Sequence, residues 1–504
     1  MHFSPAFPSS HHCIVSPNGR LVATLSSDGI HVRDARTLQT LNVVSLPAGA
    51  SRPITTLLWA PSSTRILVGS ADQIHALSAL HPSDHAAILN PLSGIGKPSH
   101  TQFGSTDRDS DILVYSQQGL KLLVYDLRTS KGLEIPGPKF YQPSSAARGV
   151  SLRASGHLAL LTRVSGRDLI SIHSPETRQM QRSWAPETID AHGLCWSPDG
   201  QWLLVWESPA HGWRVLLCTA DGQLVRTLTG FHDPNDEDAK LRPGVRSLRF
   251  RPDGKVCAVL DHSKEVALVD TTFWRTSITL VHPSALAPSE TVQVWQEQLH
   301  AASAQPSSRT FTRATHELTL PPPPADSKTS PELRTGCGLA CFDASSTLIA
   351  TRMESSPSTV WIWDLAASEL RAVLVFHSPV SFSWHPTVQE LLLITCRVDE
   401  RRTLPFVWDP LMDGPRSVLS EQALSSQGKM EAHWVDWENE QPVLLLNDSQ
   451  RYCFVSVGEG EAPGAWGSAE PTMLGGSVGS AGSVQGIEGD DSTMIDDTFS
   501  FKRG

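Results

Sequence analysis

Charge, tyrosine and long apolar runs are all scarce in this sequence, and each scarcity removes a class of function. Only 18% of the 504 residues are charged, and Lys plus Arg minus Asp plus Glu is 41 − 52 = −11. An acidic balance with no long basic run argues against a general nucleic-acid binder. No stretch approaches the roughly 18 consecutive apolar residues of a membrane-crossing helix. The opening Met1-His2-Phe3-Ser4-Pro5 has neither the basic start nor the apolar core of a secretory signal, so an intracellular, soluble protein without membrane contact is expected. The eight cysteines, at 13, 195, 218, 257, 337, 341, 396 and 453, include no CxxC pair. Most lie in apolar segments, where a free thiol behaves as a small hydrophobe, so neither a disulfide framework nor a metal cage is expected.

Motifs for catalysis are missing too. The twenty histidines form no HExxH, and no P-loop, GxSxG or strand-flanked GxGxxG occurs. His11-His12, His81, His85, His282 and His377 read as isolated surface or junction histidines. The expectation is a protein that is no enzyme and holds no cofactor and no metal. Missing motifs alone do not decide the point, since function lives in sites that sequence spacing need not show.

What is present in abundance is turn chemistry. An apolar strand, a turn of the Ser-Pro-Asp-Gly type and a second apolar strand recur: Val15-Ser16-Pro17-Asn18-Gly19-Arg20-Leu21-Val22-Ala23, Trp196-Ser197-Pro198-Asp199-Gly200, and Phe250-Arg251-Pro252-Asp253-Gly254. Proline presets φ and glycine supplies the positive φ that follows, so a hairpin is dictated locally. Weaker copies stand at Trp59-Ala60-Pro61, Leu152-Arg153-Ala154, Phe342-Asp343-Ala344 and Trp384-His385-Pro386. Counting positions near Ser105 and Asn439, the turns recur at steps of 44, 44, 49, 44, 54, 92, 42 and 53 residues. Such steps are β-propeller spacing, and the step of 92 is about two periods.

The period predicts an all-β chain: a WD40-type β-propeller of about nine four-stranded blades over residues 1–457. Its sharpest repeat runs through Val360-Trp361-Ile362-Trp363-Asp364-Leu365. Third strands are also expected to end in Asp at Asp34, Asp126 and Asp270, and in Trp408-Asp409. Trp363, Asp364 and these partners read as architecture, the Trp packing between sheets and the Asp holding the turn. The ring is expected to close by pairing the segment around Phe3 with the last blade near Tyr452 to Val457, although two partial rings divided near 284–335 fit the same repeats.

Residues 284–335 fill the long step. They hold Thr291-Val292-Gln293-Val294-Trp295, then Glu317-Leu318-Thr319-Leu320, then Pro321 to Pro324. Ser/Ala/Gln/Pro-rich spacers favour an insertion with two extra strands and a mobile Pro-rich loop over a concealed blade. From 458 to 504 the chain is Gly-rich and reads as a flexible tail. Its end offers a candidate partner motif at Phe499, Phe501, Lys502 and Arg503.

The opening Met1-His2-Phe3-Ser4 with Ser16 to Ala23 and Val32-Arg33-Asp34-Ala35-Arg36-Thr37-Leu38-Gln39 resembles the WD repeat-containing protein eight family. So do Gly193-Leu194-Cys195-Trp196-Ser197-Pro198-Asp199-Gly200, Asp221-Gly222-Gln223-Leu224, and Leu348 to Arg352 with Val360 to Leu365. The resemblance runs from residue 1 to about 457 and includes the place of the long insertion. It implies a scaffold of the centrosome or spindle pole body, within the cytoplasmic cytoskeleton. There it would bind a coiled-coil anchoring protein, in fungi a minus-end-directed kinesin, and the γ-tubulin complex, tethering microtubule minus ends in the mitotic spindle. The alternative is a propeller like translation initiation factor two-A, binding ribosome or RNA, against which the acidic balance weighs.

Overall fold

A computed structural model describes residues 1–47, 53–81, 85–89, 98–105, 108–116, 119–139, 149–229, 243–298, 309–320, 335–399, 402–418, 429–437, 441–458, 460 and 466, the side chains of 85–89 excepted. Almost every element is a strand, and among the described residues the strands sort into ten sheets, eight of them built on four consecutive antiparallel strands and a ninth on three such strands with the N-terminal segment. In order, the blades occupy 13–44, 56–89, 98–136, 150–184, 191–228, 245–281, 337–375, 380–417 and 431–456. We number them 1 to 9.

The repeated turn explains why each blade begins as it does. In blade 1 the Ser16 hydroxyl accepts the Leu21 N–H (2.9 Å) and donates to Asn18 (2.7 Å), while Gly19 N–H closes onto Ser16 O (2.9 Å). Gly19 sits at φ +68°, and a Cβ there would lie 2.1 Å from the Asp436 carbonyl of blade 9. Glycine is therefore required twice, by the turn and by the neighbour. Asp343 does the same work in blade 7 with its carboxylate, taking the N–H of Thr347 (2.9 Å) and Leu348 (2.8 Å).

Nine apolar clusters hold the ring, and each spans one pair of neighbouring blades. Blades 1 and 2 share Val32, Trp59 and Ile66; blades 3 and 4 share Tyr115, Val124 and Leu160; blades 7 and 8 share Ile362, Phe406 and Trp408. The cycle is completed by a cluster joining blade 9 (Phe454, Leu445) to blade 1 (Val22, Leu38). Successive clusters therefore run round one closed ring, which excludes two partial rings. Closure is made by the N-terminus as expected, with His2↔Ser456, Phe3↔Val455 and Phe7↔Tyr452 paired so that the first residues supply blade 9 with its outer strand. A closed ring leaves no inner edge open to another chain.

Tryptophan also links first strands across blade boundaries. Trp59 Nε1 donates to Ile14 O (3.0 Å), Trp384 to Cys341 O (2.8 Å) and Trp434 to Ser383 O (3.1 Å). Each indole buries its ring and satisfies its N–H on the preceding blade, which accounts for some of the recurrent tryptophans.

Two sequence expectations need correction. Residues 284–335 are an insertion, but they bring four strands among the described residues, not two. Ala285–Leu286 pairs with Leu318–Thr319, and Gln293–Gln298 with Thr310–Arg313. Gln293–Gln298 also adds to Glu369–Val375 in parallel, giving blade 7 six strands. Strands of two to four residues carry too little periodicity to be read from sequence. Second, the compact unit extends to Gly467, past the expected limit at 457. Trp466 is buried against Trp437 (ring centroids 6.2 Å) and Phe454 (6.4 Å), at the seam of blades 9 and 1. One indole supplies the apolar area that the surrounding glycines lack. The Pro-rich segment 321–324 and the motif at Phe499, Phe501, Lys502 and Arg503 lie outside the described residues.

Candidate functional site

The five third-strand aspartates share one geometry. Asp34 accepts the N–H of Arg36 (2.9 Å) and Thr37 (2.8 Å). Asp126, Asp270, Asp364 and Asp409 likewise accept the two amides that lie two and three residues on. Four of these turns then place a residue in the left-handed region, namely Leu38, Ser130, Trp274 and Ser368. The carboxylate supplies the hydrogen bonds that such a turn needs, and its negative charge is spent on backbone amides. Blades 4 and 5 build related turns on Ser174 and Thr219, whose hydroxyls accept the N–H of Thr177 (3.3 Å) and Gln223 (3.1 Å). Trp408 is fully buried between blades 7 and 8, and Trp363 lies between blades 6 and 7.

Trp363 is one end of a buried relay that residue spacing did not reveal. Its Nε1 donates to Thr351 Oγ1 (3.1 Å), the Thr351 hydroxyl donates to His282 Nε2 (2.7 Å), and His282 Nδ1 donates to the Lys264 carbonyl (3.0 Å). The His282 ring stands edge-on to Trp361 and Trp363, 5.2 Å from each. Burial holds its pKa down at about 4, so the imidazole is neutral and locks blade 6 to blade 7. The reading of His282 as an isolated junction histidine is thus corrected. The insertion hid it by separating the histidine, at the end of blade 6, from Thr351 and Trp363 of blade 7.

Two buried ion clusters between neighbouring blades are held by protein partners. Arg178 joins blades 3 and 4, binding Asp111 through Nε (2.8 Å) and the Gly104 and Gly156 carbonyls (both 2.7 Å). Lys139 Nζ meets Asp168 (2.6 Å), Asp190 (2.8 Å) and the Ala191 carbonyl (2.7 Å), and Arg163 pairs with Asp190. Burial raises the Asp190 pKa, but Lys139 and Arg163 outweigh it and hold the carboxyl below its usual value. Each charge is compensated, as buried charges must be. Burial pushes the thiols of Cys13, Cys195, Cys337, Cys396 and Cys453 up to about 12, so these cysteines are not nucleophiles near neutral pH. Among the described residues no three His, Cys, Asp or Glu side chains gather as metal ligands.

The insertion is pinned to the ring by side chains. Glu297 is buried, takes Arg309 (2.6 Å) on Oε1 and the His377 backbone N–H (2.8 Å) on Oε2, while His377 Nε2 donates back to the Glu297 carbonyl (3.1 Å). Phe311 packs on Phe376 (5.1 Å) and Phe406 (5.7 Å), and Trp295 fills the cluster shared by blades 7 and 8. Where the insertion leaves and rejoins the ring it walls a cleft of about 200 Å³. Lys264 comes from blade 6, Ser284 and Thr319 from the insertion, and Ser355, Ser356 and Trp361 from blade 7. At that volume the cleft admits a side chain and falls short of the roughly 300 Å³ at which small-molecule sites begin.

No family model matches the chain. It is 24% identical over 484 residues to an uncharacterised WD repeat-containing protein of Schizosaccharomyces pombe, covering 91% of this chain and 92% of that one. It is 25% identical over 418 residues to the WD repeat-containing protein WRAP73 of Mus musculus, covering 78% and 85%. Among solved structures, a crystal structure of the eukaryotic initiation factor superposes with a TM-score of 0.50 at 12% identity, over 82% of this chain and 87% of that one, a likeness of fold alone. With nine blades in one ring, the chain is an all-β propeller of WD40 type, similar in sequence to two WD repeat-containing proteins along most of its length.

Proposed function

We propose that this propeller is a non-enzymatic scaffold of the spindle pole body or centrosome. It binds a coiled-coil anchoring protein and a minus-end-directed kinesin there, and through them the γ-tubulin complex, to tether microtubule minus ends. The observation that carries the scaffold reading is the closed ring whose buried charges and thiols are spent on packing, with loops left to dock partners. Its rigidity lowers the ordering cost of each docking event. The placement at the spindle pole is supported by the ordered resemblance from Met1 to about residue 457, with its insertion at the same place.

Affinity purification of the full-length chain from dividing cells tests the reading. Recovery of spindle-pole proteins, with detached minus ends after depletion, is the expected result. Recovery of ribosomal proteins, with normal spindles and reduced translation initiation, overturns it in favour of the initiation-factor alternative. The terminal Phe499 and Phe501 stand two residues apart, so in an extended strand they face one side and fill one apolar groove of a partner. A chain ending at Gly489 is expected to lose one partner, and retention of every partner refutes the motif.

A further inference from the structure

The cleft at the root of the insertion gathers an ammonium, several hydroxyls and an indole N–H for which the described residues supply no partner. Lys264 is exposed at its side and brings an ammonium. Ser284, Thr319, Ser355 and Ser356 bring hydroxyls from three separate segments. Trp361 forms part of the wall, is 1% exposed, and its indole N–H has no acceptor among the described residues. A buried donor left unpaired is costly, and Trp361, like six other buried indoles among the described residues, carries that cost, here at the wall of a cleft that also holds a cation.

Among the described residues no carboxylate lines the cleft. Two acids adjoin lining residues in sequence, Glu265 and Glu354, and Glu354 is held by Arg352 (3.2 Å) and Arg246 (3.4 Å), so its charge is neutralised inside the fold. His282, also in the wall, has both ring nitrogens committed to Lys264 O and Thr351. What remains is a donor-rich recess with one cation and apolar walls from Leu320 and Met353. One cation matches one negative charge, and a volume of about 200 Å³ suits one side chain.

The geometry points to this cleft as a docking site for the carboxylate of a glutamate or aspartate carried by an extended segment of a partner protein. The acidic side chain enters beside Trp361, its carboxylate takes Lys264 and the serine hydroxyls, and its methylenes lie on Leu320 and Met353. A phosphorylated residue fits less well, since its nearly double charge meets only one ammonium. The insertion creates the site, because two of its walls, Ser284 and Thr319–Leu320, belong to it. This inference deepens the scaffold reading by naming what one surface recognises, and it does not depend on where in the cell the partner resides.

The test uses the full-length chain labelled with 5-fluorotryptophan, its Trp361 resonance assigned by Trp361→Phe. Three pools of fluorescent, doubly capped heptapeptides are titrated, with Glu, Gln or phosphoserine at the centre and Ser, Thr, Val or Leu flanks. The expected result is saturable binding of the Glu pool, movement of the Trp361 resonance, and at least tenfold weaker binding of the Gln pool. Lys264→Glu, an exposed substitution, is expected to weaken the Glu pool at least tenfold while melting within 2 °C of the parent, and Lys264→Gln about half as much on a logarithmic scale. No binding by the Glu pool, equal binding of Glu and Gln pools, binding indifferent to Lys264→Glu, or an unmoved Trp361 resonance each overturns the site. Tighter binding of the phosphoserine pool overturns the assignment to a carboxylate. If the Glu pool binds as expected while spindle-pole proteins are not recovered from cells, the cellular reading fails and the site stands.

Discussion

Replacing Thr351 by valine removes one hydroxyl and keeps the shape of the side chain. That hydroxyl is buried, accepts the Trp363 N–H at 3.1 Å and donates to His282 Nε2 at 2.7 Å. Valine leaves both partners unsatisfied in an apolar cluster, at about 1–3 kcal/mol each, so a loss of about 2–5 kcal/mol is expected. Thr351→Ser keeps the hydroxyl and loses one methyl, for about 1 kcal/mol. Native-state hydrogen exchange reads the effect where it arises, in the strands Leu348–Met353 and Thr359–Asp364. Since about 1.4 kcal/mol is tenfold, valine should speed exchange there roughly thirtyfold or more, and serine about fivefold. Exchange in blades 2 and 3, on the opposite side of the ring order, should barely move. The relay would be refuted if valine stays within threefold of the parent, or if serine does as much damage as valine.

Acidification should weaken the same junction. His282 titrates near 6.5 when unfolded and at about 4 when folded, so the unfolded chain binds more protons between those values. The stabilisation is complete above pH 6.5 and is lost as pH falls towards 4, by about 2 kcal/mol at pH 5. Urea melts at pH 7.5 and 5.0 should show the parent losing about that much more than His282→Gln, and parallel losses would dismiss the role. Deleting residues 1–8 removes the outer strand of blade 9 and exposes the edge of Arg451–Ser456. Light scattering should then show self-association, and a monodisperse monomer with parental melting would contradict closure by the N-terminus. Glu297→Ala strands the Arg309 guanidinium and the His377 amide, and a loss of about 3–5 kcal/mol follows if the pair is fully buried. Limited proteolysis should cut first within the insertion, and cutting elsewhere at parental rate would show that Glu297 does not pin it.

By itself the sequence determined the blades. Each hairpin follows from a few neighbouring residues, such as Ser16-Pro17-Asn18-Gly19 or Asp364 with its two following amides, so the repeat was readable wherever those residues stand. The insertion was legible as a break in that rhythm. Tertiary structure decided whatever joins residues far apart in the chain. A single ring, instead of two, is set by the clusters between neighbouring sheets and by Phe3 meeting Val455, a pairing that no local pattern contains. Gln293–Gln298 docks because Glu369–Val375 offers an edge, and Glu297, paired with Arg309 of the insertion, takes the His377 amide just past that edge. His282, at the end of blade 6, meets Thr351 of blade 7 only because the insertion between them folds away. The cleft has the same origin, since Lys264, Ser284, Thr319 and Trp361 come from four segments that only the packed ring brings together. Turns answer to short-range chemistry, whereas closure, docking of the insertion and the cleft answer to which distant apolar faces bury one another.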